Sequence, residues 1–527
     1  ALALGVNRFV YHTFAHKPLG DEHRPGMTMG VHGVHWDRGQ TWWSMAPAYH
    51  RYITRCQHIL QQGKAVADIL YITPEGAPHI FRPPKSALTD SDTIPDRRGY
   101  NFDGCSPLML MAHASVKDNK IVFPGGASYE IMVLSSFETM TPELLEKIGS
   151  LVKEGAVLVG NPPKRSPSLV NYPDCDRIVQ DLAMDIWGGL DTPAEVLERS
   201  YGKGRIFRGG ALAEINGDEL YPRYKATSSL LSKLGVVKDF QSSGALRYTH
   251  RDLGETNIYF VANRTNQQVL DDCAFRVVNG KPKLWDPVTG ETRPLPDFSR
   301  KDGLTTIPMA FDAYQSFFVV FTEASKSDNS ENMPARNFPE LKSSLELEGP
   351  WEVSFDPEWG GPEKAAFEDL VDWTSRPEKG IRYYSGIASY HKTFDLPASM
   401  DTGDNSRVYL NLGEVNNLAR VILNGKDLGV VWTAPWHINI TEGLKPGENQ
   451  LEIQVANLWP NRLIGDEYLP DDGVKDGQWP VWLLEGKTRT SGRYTFTTHA
   501  FYTKESPLLK SGLIGPVKLL SVSLFLE

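Results

Sequence analysis

Several features that would assign a function at once are missing from this sequence. No apolar run approaches the roughly 18 to 20 residues that a membrane-spanning helix requires. There is no basic excess either, because the formal net charge is −10, and this argues against a nucleic-acid partner, whose phosphate backbone needs a basic surface. The motifs GxGxxG, the P-loop and GxSxG are also absent, so nothing marks a nucleotide site or a serine hydrolase.

Cysteine is scarce as well. The 4 cysteines are widely spaced without a CxxC pair, which argues against a disulfide framework and against a structural zinc site. The opening Ala1-Leu2-Ala3-Leu4 is too short for a signal peptide and lacks a basic flank. Since there is no initiator Met and the chain is hydrophobic from its first residue, we expect it to be part of a longer protein.

Aromatic residues, in contrast, are plentiful. The chain has 13 Trp, and 10% of its residues are aromatic. This is typical of proteins that stack sugar rings on aromatic side chains, but filled β-sandwich cores give the same composition. At 527 residues the chain is long enough for several domains.

The hydrophobic period divides the chain into an α/β part and an all-β part. Residues 5–14 (GVNRFVYHTF) are strand-like, residues 15–40 form a long loop, and a helical period runs from residue 41 to Gly63, which makes one βα unit. Strands such as AVADILYI, EIMVLSS and AVLVG then alternate with helices, one of them capped by Thr141, which predicts a doubly wound parallel sheet. After residue 200 the period is two, which predicts β-sandwiches.

The expected fold class is therefore multidomain, α/β plus all-β. The expected units are the last βα unit of a (β/α)8 barrel (1–65), a flavodoxin-like α/β domain (66–200), a small β-sandwich (201–325), a linker (326–340) and a jelly-roll β-sandwich (341–527).

Histidine and tryptophan concentrate in and beside the loop at residues 15–40, here called the front loop. Long loops inside compact domains are usually functional, and in a (β/α)8 barrel the loop after a strand lies on the catalytic face. His, Asp and Arg bond sugar hydroxyls while Trp stacks on the ring. The candidate substrate contacts are His12, His16, Trp36, Asp37, Arg38, Trp42 and Trp43.

Other interpretations of these residues stay open. The spacing of His12 and His16 can be chance, and Trp42 with Trp43 can simply anchor the start of the helix. Zinc is disfavoured, because HxxxH suits zinc best on a helix and this pair leaves a strand.

Glycoside hydrolysis normally needs two carboxylates flanking the scissile bond. The first βα unit offers Asp21, Glu22 and Asp37, of which Glu22 is a weak catalytic candidate, and a solvated loop tip is the favoured explanation of Asp21 and Glu22. A whole barrel takes about 250 residues, so we expect the catalytic pair upstream of this chain.

At this point the residues resemble a known family. VNRFVYHTFAHKP, PGMTMGVHGVHWDRGQTWW and VADILYI are similar to the α-L-rhamnosidases of glycoside hydrolase family 106. The resemblance implies hydrolysis of terminal α-L-rhamnosides with inversion, by a glutamate acid and a glutamate base, aided by calcium. No residue of this chain inherits either glutamate's role, and the calcium ligands are not identified.

The end of the chain resembles the sugar-binding jelly roll of family 2 glycosidases, through WEVSF, VILNGKDLG, VWTAPW and NLWPNRLIGDEYLP. Either its Trp residues bind sugar or they are core, and residues 461–467 (NRLIGDE) are expected to form a loop folding back over the barrel. The secondary sugar-contact candidates are Trp459, Asn461, Arg462 and Asp466, and the wider set of Trp candidates is Trp432, Trp436, Trp479 and Trp482.

The expected protein is thus the C-terminal portion of a periplasmic or secreted bacterial α-L-rhamnosidase. Its expected partners are a carbohydrate substrate and a missing N-terminal barrel segment, with no nucleic acid and no membrane span. A β-galactosidase-like enzyme of other specificity and a non-catalytic carbohydrate-binding fragment remain as alternatives.

Overall fold

The computed structural model describes residues 1–12, 14, 16–76, 79–88, 99–243, 246–323, 336–397, 400, 403 and 406–523. Most of the predicted linker at 326–340 lies outside these residues. No helix among the described residues is long and apolar enough to cross a membrane.

The α/β domain contains one six-stranded sheet. Five strands are parallel, and the first strand in the chain lies between the second and the third, which is the 2-1-3-4-5 order of flavodoxin-like doubly wound sheets. In spatial order the strands are Phe102–Cys105, Ile69–Ile72, Ile131–Val133, Val157–Val159, Gly204–Arg208 and the antiparallel edge strand Leu197–Tyr201. The helices are Lys85–Leu88, Pro107–His113, Pro142–Glu154, Cys175–Trp187 and Tyr224–Lys233.

The helix Pro142–Glu154 has the local capping signals from which the sequence predicts it. The Thr141 hydroxyl accepts from the Leu144 amide at 3.4 Å, and Gly155 ends the helix at a positive φ of 132°. Its buried face packs on one side of the sheet together with the helix Cys175–Trp187. The predicted N-cap and C-terminal glycine are confirmed.

The predicted domain boundary at residue 200 requires a correction. The strand Gly204–Arg208 belongs to the α/β sheet, parallel to Val157–Val159. The helix Tyr224–Lys233 covers the second face of the same sheet. We therefore call residues 66–236 the α/β domain. The error has a physical cause: an antiparallel hairpin at the edge of a parallel sheet carries the same alternating pattern as a sandwich strand.

The small sandwich (residues 239–323) has two antiparallel sheets around an aromatic core. One sheet contains Phe240–Gln241, Val269–Phe275, Leu304–Phe311 and Ser299–Lys301 in that order. The other contains Thr292–Pro294, Lys281–Trp285, Ser316–Thr322, Asn257–Asn263, Leu246–Asp252 and Lys64–Ala65.

The terminal sandwich (residues 341–523) is built from two main sheets around the largest core of the chain. One sheet contains Lys342–Glu346, Lys518–Ser523, Ser406–Asn411 and His437–Asn439. The other contains Ala365–Phe367, Trp351–Ser354, Ile387–Leu396, Gly447–Ala456, Leu418–Leu423 and Lys426–Val431, and Glu414–Asn416 pairs with Gly512–Gly515. The helices are Lys379–Arg382, Pro460–Asp466 and Val481–Leu484.

Two predictions for this domain are wrong in detail. Residues 461–467 are not a loop, because the helix Pro460–Asp466 forms with proline in its first turn. Residues 493–502 (RYTFTTHAFY) have the composition that predicts a strand, but only Phe496–Thr497 is one, and its partner is the distant segment Pro25–Gly26.

The front segment (residues 1–65) departs most from expectation. Among described residues 5–12 and 14 there is no strand. The helix Ala46–Leu60 supplies the hydrogen bonds that a strand would have found in a sheet: the Phe9 amide donates to the Gln57 side chain at 2.6 Å, and the Gln61 side chain donates to the Asn7 carbonyl at 2.8 Å. The front segment thus lies along its own helix, which packs on the small sandwich.

Candidate functional site

The front loop is folded around one buried lysine. The ammonium group of Lys17 donates to the carbonyls of Pro25 at 2.7 Å and Met27 at 2.9 Å, and lies 3.5 Å from the Asp37 carboxylate. The two charged side chains are 6% and 2% exposed. Burial lowers the pKa of Lys17, with Asp37 acting in the opposite direction. Lys17 therefore holds the loop together through two hydrogen bonds to backbone carbonyls and one ion pair.

Asp37 faces the loop interior rather than solvent. One carboxylate oxygen accepts from the Gly39 amide at 2.8 Å while the other faces Lys17. The neighbouring His35 is buried, and burial lowers its pKa, with Lys17 adding to the effect. Asp37, a predicted sugar contact, is thus placed as a structural group of the loop.

The other two loop carboxylates are exposed and differ in their partners. Asp21 accepts from Arg24 at 2.7 Å and from Arg38 at 3.1 Å, and these contacts lower the pKa of Asp21. Glu22 lies 3.5 Å from His23, with its side chain 69% exposed. Neither is placed opposite a second free carboxylate of the described loop in the way that glycoside hydrolysis requires.

The predicted tryptophans form an aromatic cluster at the base of the loop. Trp36 stacks on Tyr11 with ring centres 5.1 Å apart and meets Trp42 edge to face at 4.8 Å. The Trp36 indole N–H donates to His50 Nε2 at 2.9 Å. Trp42 is buried and Trp43 is half-buried against the terminal sandwich. Trp42 in particular behaves as core, as the alternative interpretation allowed.

Three predicted contacts remain open to solvent. His12, His16 and Arg38 are exposed, and Arg38 is oriented by its hydrogen bond to Asp21. The apolar side chains beside them, Val10 at 87% and Phe14 at 77%, are far more exposed than apolar residues of a finished core. The front segment therefore exposes both candidate sugar contacts and uncovered apolar side chains.

The secondary candidates divide into one that reaches the front loop and three that do not. The Trp459 indole N–H donates to the Gly39 carbonyl at 2.7 Å. Asn461 is engaged with the Leu509 backbone in both directions. Arg462 and Asp466 form a buried ion pair at 3.1 Å, and burial lowers the pKa of Arg462.

The wider set of Trp candidates is packed in different ways. Trp436 packs against the core of the terminal sandwich, and Trp432 contacts Tyr49 and Tyr52 of the front helix. Trp479 stacks on Phe496. The Trp482 indole N–H donates to the Asp472 carbonyl at 2.9 Å, while its ring lies 5.6 Å from that of His23.

Metal binding can be tested on the described residues. Among them, no group of three His, Cys, Asp or Glu side chains is close enough together to hold an ion. In particular, Asp37 of the front loop is paired with Lys17, and Asp21 with Arg24 and Arg38, while Glu22 lies beside His23. The described residues therefore contain no cluster of such side chains for the calcium ion that the family resemblance implies, and calcium stays a prediction.

Sequence reasoning missed Lys17 and Gly39. A lysine in a polar loop is indistinguishable from a solvated one until its carbonyl partners are known. At Gly39, a Cβ would lie 2.9 Å from the Pro25 carbonyl oxygen and 3.0 Å from the Asp37 carboxylate. The glycine therefore permits the close approach of three parts of the loop.

A flavodoxin-like domain followed by two sandwiches, with a loop rich in His and Trp packed on the last of them, is typical of multidomain glycoside hydrolases. Comparison with known proteins bears this out. Residues 1–299 match the glycoside hydrolase family 106, described as alpha-L-rhamnosidase, and the chain belongs to this family. Residues 378–475 match the galactose-binding domain-like region of glycosyl hydrolase family 2.

Two relatives cover nearly the whole chain. The structure of a rhamnosidase from Novosphingobium sp. PP1Y superposes with a TM-score of 0.79 at 30% identity, over 99% of this chain and 45% of that one. A Formosa agariphila protein named "Putative beta-glucuronidase" is 26% identical over 98% of this chain and 60% of its own length. The chain thus spans about half the length of these relatives.

Proposed function

We propose that this chain forms one side of the sugar site of an α-L-rhamnosidase that releases terminal α-L-rhamnose from plant or microbial glycans or glycosides. The observation that carries the proposal is the front loop, whose two arms are joined by buried Lys17, and in and beside which Arg38, His16 and His12 are exposed. A rigid scaffold with exposed polar groups is what sugar recognition requires. The chain's membership in family 106 supports the same substrate class.

The catalytic acid and base are proposed to lie in a region that the longer relatives have and this chain does not span. Support comes from the carboxylates of the described front loop, which are buried, paired or isolated. Exposed Val10 and Phe14 would then pack against that N-terminal barrel segment. Inversion, with carboxylates about 6.5 to 9.5 Å apart, and calcium at the sugar are proposed on the family resemblance.

We place the protein in the periplasm or outside a bacterial cell, since its substrate would be an extracellular glycan. All four cysteines are free and buried, which fits either side of the membrane. The proposed partners are the carbohydrate substrate and the barrel segment.

The direct test is release of a chromophore from an aryl α-L-rhamnoside by the protein in its native length. We expect turnover that EDTA abolishes and added calcium restores. Turnover that survives EDTA would contradict the calcium part, and no turnover with any α-L-rhamnoside would contradict the function itself.

The individual contacts can be tested in the same assay. Arg38→Ala and His12→Ala are each expected to raise KM about tenfold, the equivalent of one good hydrogen bond to a charged or polar group. His58→Ala is the control, because His58 is an exposed histidine at the far end of the front helix. Unchanged KM in both loop variants would show that the loop does not contact sugar.

A β-glucuronidase is the second candidate, on the observation that the Formosa agariphila relative carries that name. It is one form of the wider alternative, a glycosidase of other specificity. An aryl β-D-glucuronide assayed beside the rhamnoside decides between them. Binding of sugar without turnover on either substrate would favour the non-catalytic carbohydrate-binding fragment.

A further inference from the structure

The terminal sandwich touches the front loop at the loop's functional end, although more than 400 positions separate them in the chain. The contact begins with Trp459, which is 3% exposed and directs its indole N–H at the Gly39 carbonyl, 2.7 Å away. Gly39 lies beside the Lys17–Asp37 pair and is adjacent to exposed Arg38. A single side chain of the terminal sandwich therefore bonds to the backbone at the loop's most crowded point.

Residues in and directly after one sheet of the terminal sandwich hold the segment that leads into the helix Ala46–Leu60. The Thr41 hydroxyl donates to the Asn457 carbonyl, and Arg420 donates to the Ser44 carbonyl at 3.0 Å. Behind these hydrogen bonds, Trp42 and Met45 pack with Ala456 in an apolar cluster. Polar and apolar contacts thus fix residues 39–46 together.

A second part of the terminal sandwich holds the other arm of the loop. The short strand Phe496–Thr497 pairs in parallel with Pro25–Gly26, and the Phe496 amide donates to the Arg24 carbonyl at 3.0 Å. The Thr28 amide donates to the Thr498 hydroxyl at 3.1 Å. Both arms of the front loop are consequently tied to the terminal sandwich, and Lys17 ties the arms to each other.

We infer that the terminal sandwich is an integral part of the sugar site and that Trp459 is a positioning residue: it fixes the Gly39 carbonyl and, through it, the backbone that presents Arg38. This deepens the proposed function and rests on it for the identity of the sugar. The helix Pro460–Asp466, which follows Trp459, carries the secondary candidates on its buried side, so they support this arrangement and do not contact sugar.

The test compares two tryptophans that make the same bond in different places. Trp459→Phe replaces the indole by a smaller aromatic ring and removes the N–H, which leaves the Gly39 carbonyl without this donor. Trp187→Phe is the matched control, because the buried Trp187 donates to the Gly160 carbonyl at 2.9 Å inside the α/β domain. Both variants lose one indole-to-carbonyl hydrogen bond, and only the first loses it at the front loop.

Hydrogen exchange measured by mass spectrometry on the full chain is the first readout. Peptides covering residues 17–41 are expected to exchange about tenfold faster in Trp459→Phe than in the wild type, the effect of about 1.4 kcal/mol on a local opening. The same peptides should be unchanged in Trp187→Phe. Equal exchange of the loop in wild type and Trp459→Phe would overturn the inference.

Hydrolysis of an aryl α-L-rhamnoside is the second readout, and it separates positioning from general stability. Trp459→Phe is expected to raise KM about five- to tenfold with kcat within about twofold, since it disturbs sugar contacts and not the carboxylates. Trp187→Phe should leave KM unchanged. A KM unchanged in Trp459→Phe would also overturn the inference. A wild type without rhamnosidase activity would instead overturn the proposed function, while the exchange measurement would still decide whether Trp459 positions the loop.

Discussion

The junction between the α/β domain and the small sandwich contains a buried charge whose cost can be measured. Asp68, 3% exposed, accepts from Arg276 at 2.9 Å. Arg276 also lies 3.5 Å from Asp239, which in turn bonds to His250 at 2.9 Å. The Arg276 guanidinium thus pairs with two buried carboxylates, one from each domain. The second carboxylate oxygen of Asp68 has no hydrogen-bond partner among the described residues.

Burial raises the pKa of Asp68 from 3.8 to about 6, with Arg276 opposing the shift and Asp239 and Glu130 adding repulsion. A shift of about two units corresponds to about 3 kcal/mol. Because the folded-state pKa is above the unfolded one, the native state binds more protons between about pH 4 and pH 6. Acidification through this window therefore stabilises the fold at Asp68, whereas ionisation at neutral pH carries the cost.

Asp68→Asn removes this titration while keeping an oxygen that can accept from Arg276. Thermal unfolding of variant and wild type is compared at about pH 7.5 and about pH 4.5. About 1 of these 3 kcal/mol is already expressed at about pH 4.5, which is above the unfolded-state pKa. The variant's stability relative to the wild type is therefore expected to be about 2 kcal/mol more favourable at the higher pH, or about 4 to 8 °C at about 2 to 4 °C per kcal/mol for a unit of this size. Other titrating groups cancel in the comparison because both proteins contain them.

The control is Asp272→Asn, at an exposed aspartate on a strand of the small sandwich. Its thermal stability relative to the wild type should be unchanged at both pH values. A difference between Asp68→Asn and wild type that does not change with pH would refute the reasoning. So would a variant that loses more stability at pH 7.5 than at pH 4.5, since the ion pair with Arg276 would then outweigh the burial.

Three further outcomes are expected. Lys17→Met should destabilise the front loop by about 3 kcal/mol, because it leaves buried Asp37 and two carbonyls without their partner, and hydrogen exchange of residues 17–39 reports it. Gly465→Ala should lower the free energy of unfolding, measured by thermal unfolding, by about 1 to 3 kcal/mol, because the new Cβ would lie 2.3 Å from a guanidinium nitrogen. Gly125→Ala is the neutral control, because no other atom lies within 4 Å of the Cβ that it adds. Glu22→Gln should change kcat less than about threefold, and a loss near 10³-fold or larger would identify Glu22 as catalytic.

The elements that sequence reasoning predicted well carry their own local signals. The helix after Thr141 has a cap, a proline at its first position and a terminal glycine, so it needs no knowledge of its neighbours. Strands such as Asn257–Asn263 combine β-branched and aromatic residues between turns. In such segments local preference and tertiary environment agree, and the pattern is sufficient.

The failures are segments whose structure depends on a distant partner. Residues 5–12 have strand-like composition, but the Phe9 amide and the Asn7 carbonyl are bonded by side chains at the end of a helix about 50 positions away. The helix Pro460–Asp466 contains glycine and polar residues that suggest a loop, yet Ser385 bonds the Arg462 amide within its first turn. No window of the sequence contains both members of either contact.

The residues of the candidate site also divide into those with a local sequence signal and those that depend on a distant partner. Only the first kind could be identified from composition. His12, His16 and Arg38 could be named because residue type alone suggests sugar contact, and exposure was the missing fact. The residues that build the site work through the backbone: Lys17 binds carbonyls, and Trp459 binds the Gly39 carbonyl. A backbone acceptor leaves no trace in the sequence around it, because every residue has one.

It follows that the terminal sandwich is not a separable appendage to the front loop. If it were, the loop would need its own hydrogen-bond partners, yet the carbonyls of Arg24, Gly39 and Ser44 all accept from the terminal sandwich. Removing that domain would leave these groups to water and would uncover Trp42 and Met45. The order of the loop, and with it the arrangement of any sugar contacts, therefore depends on residues from the last third of the chain.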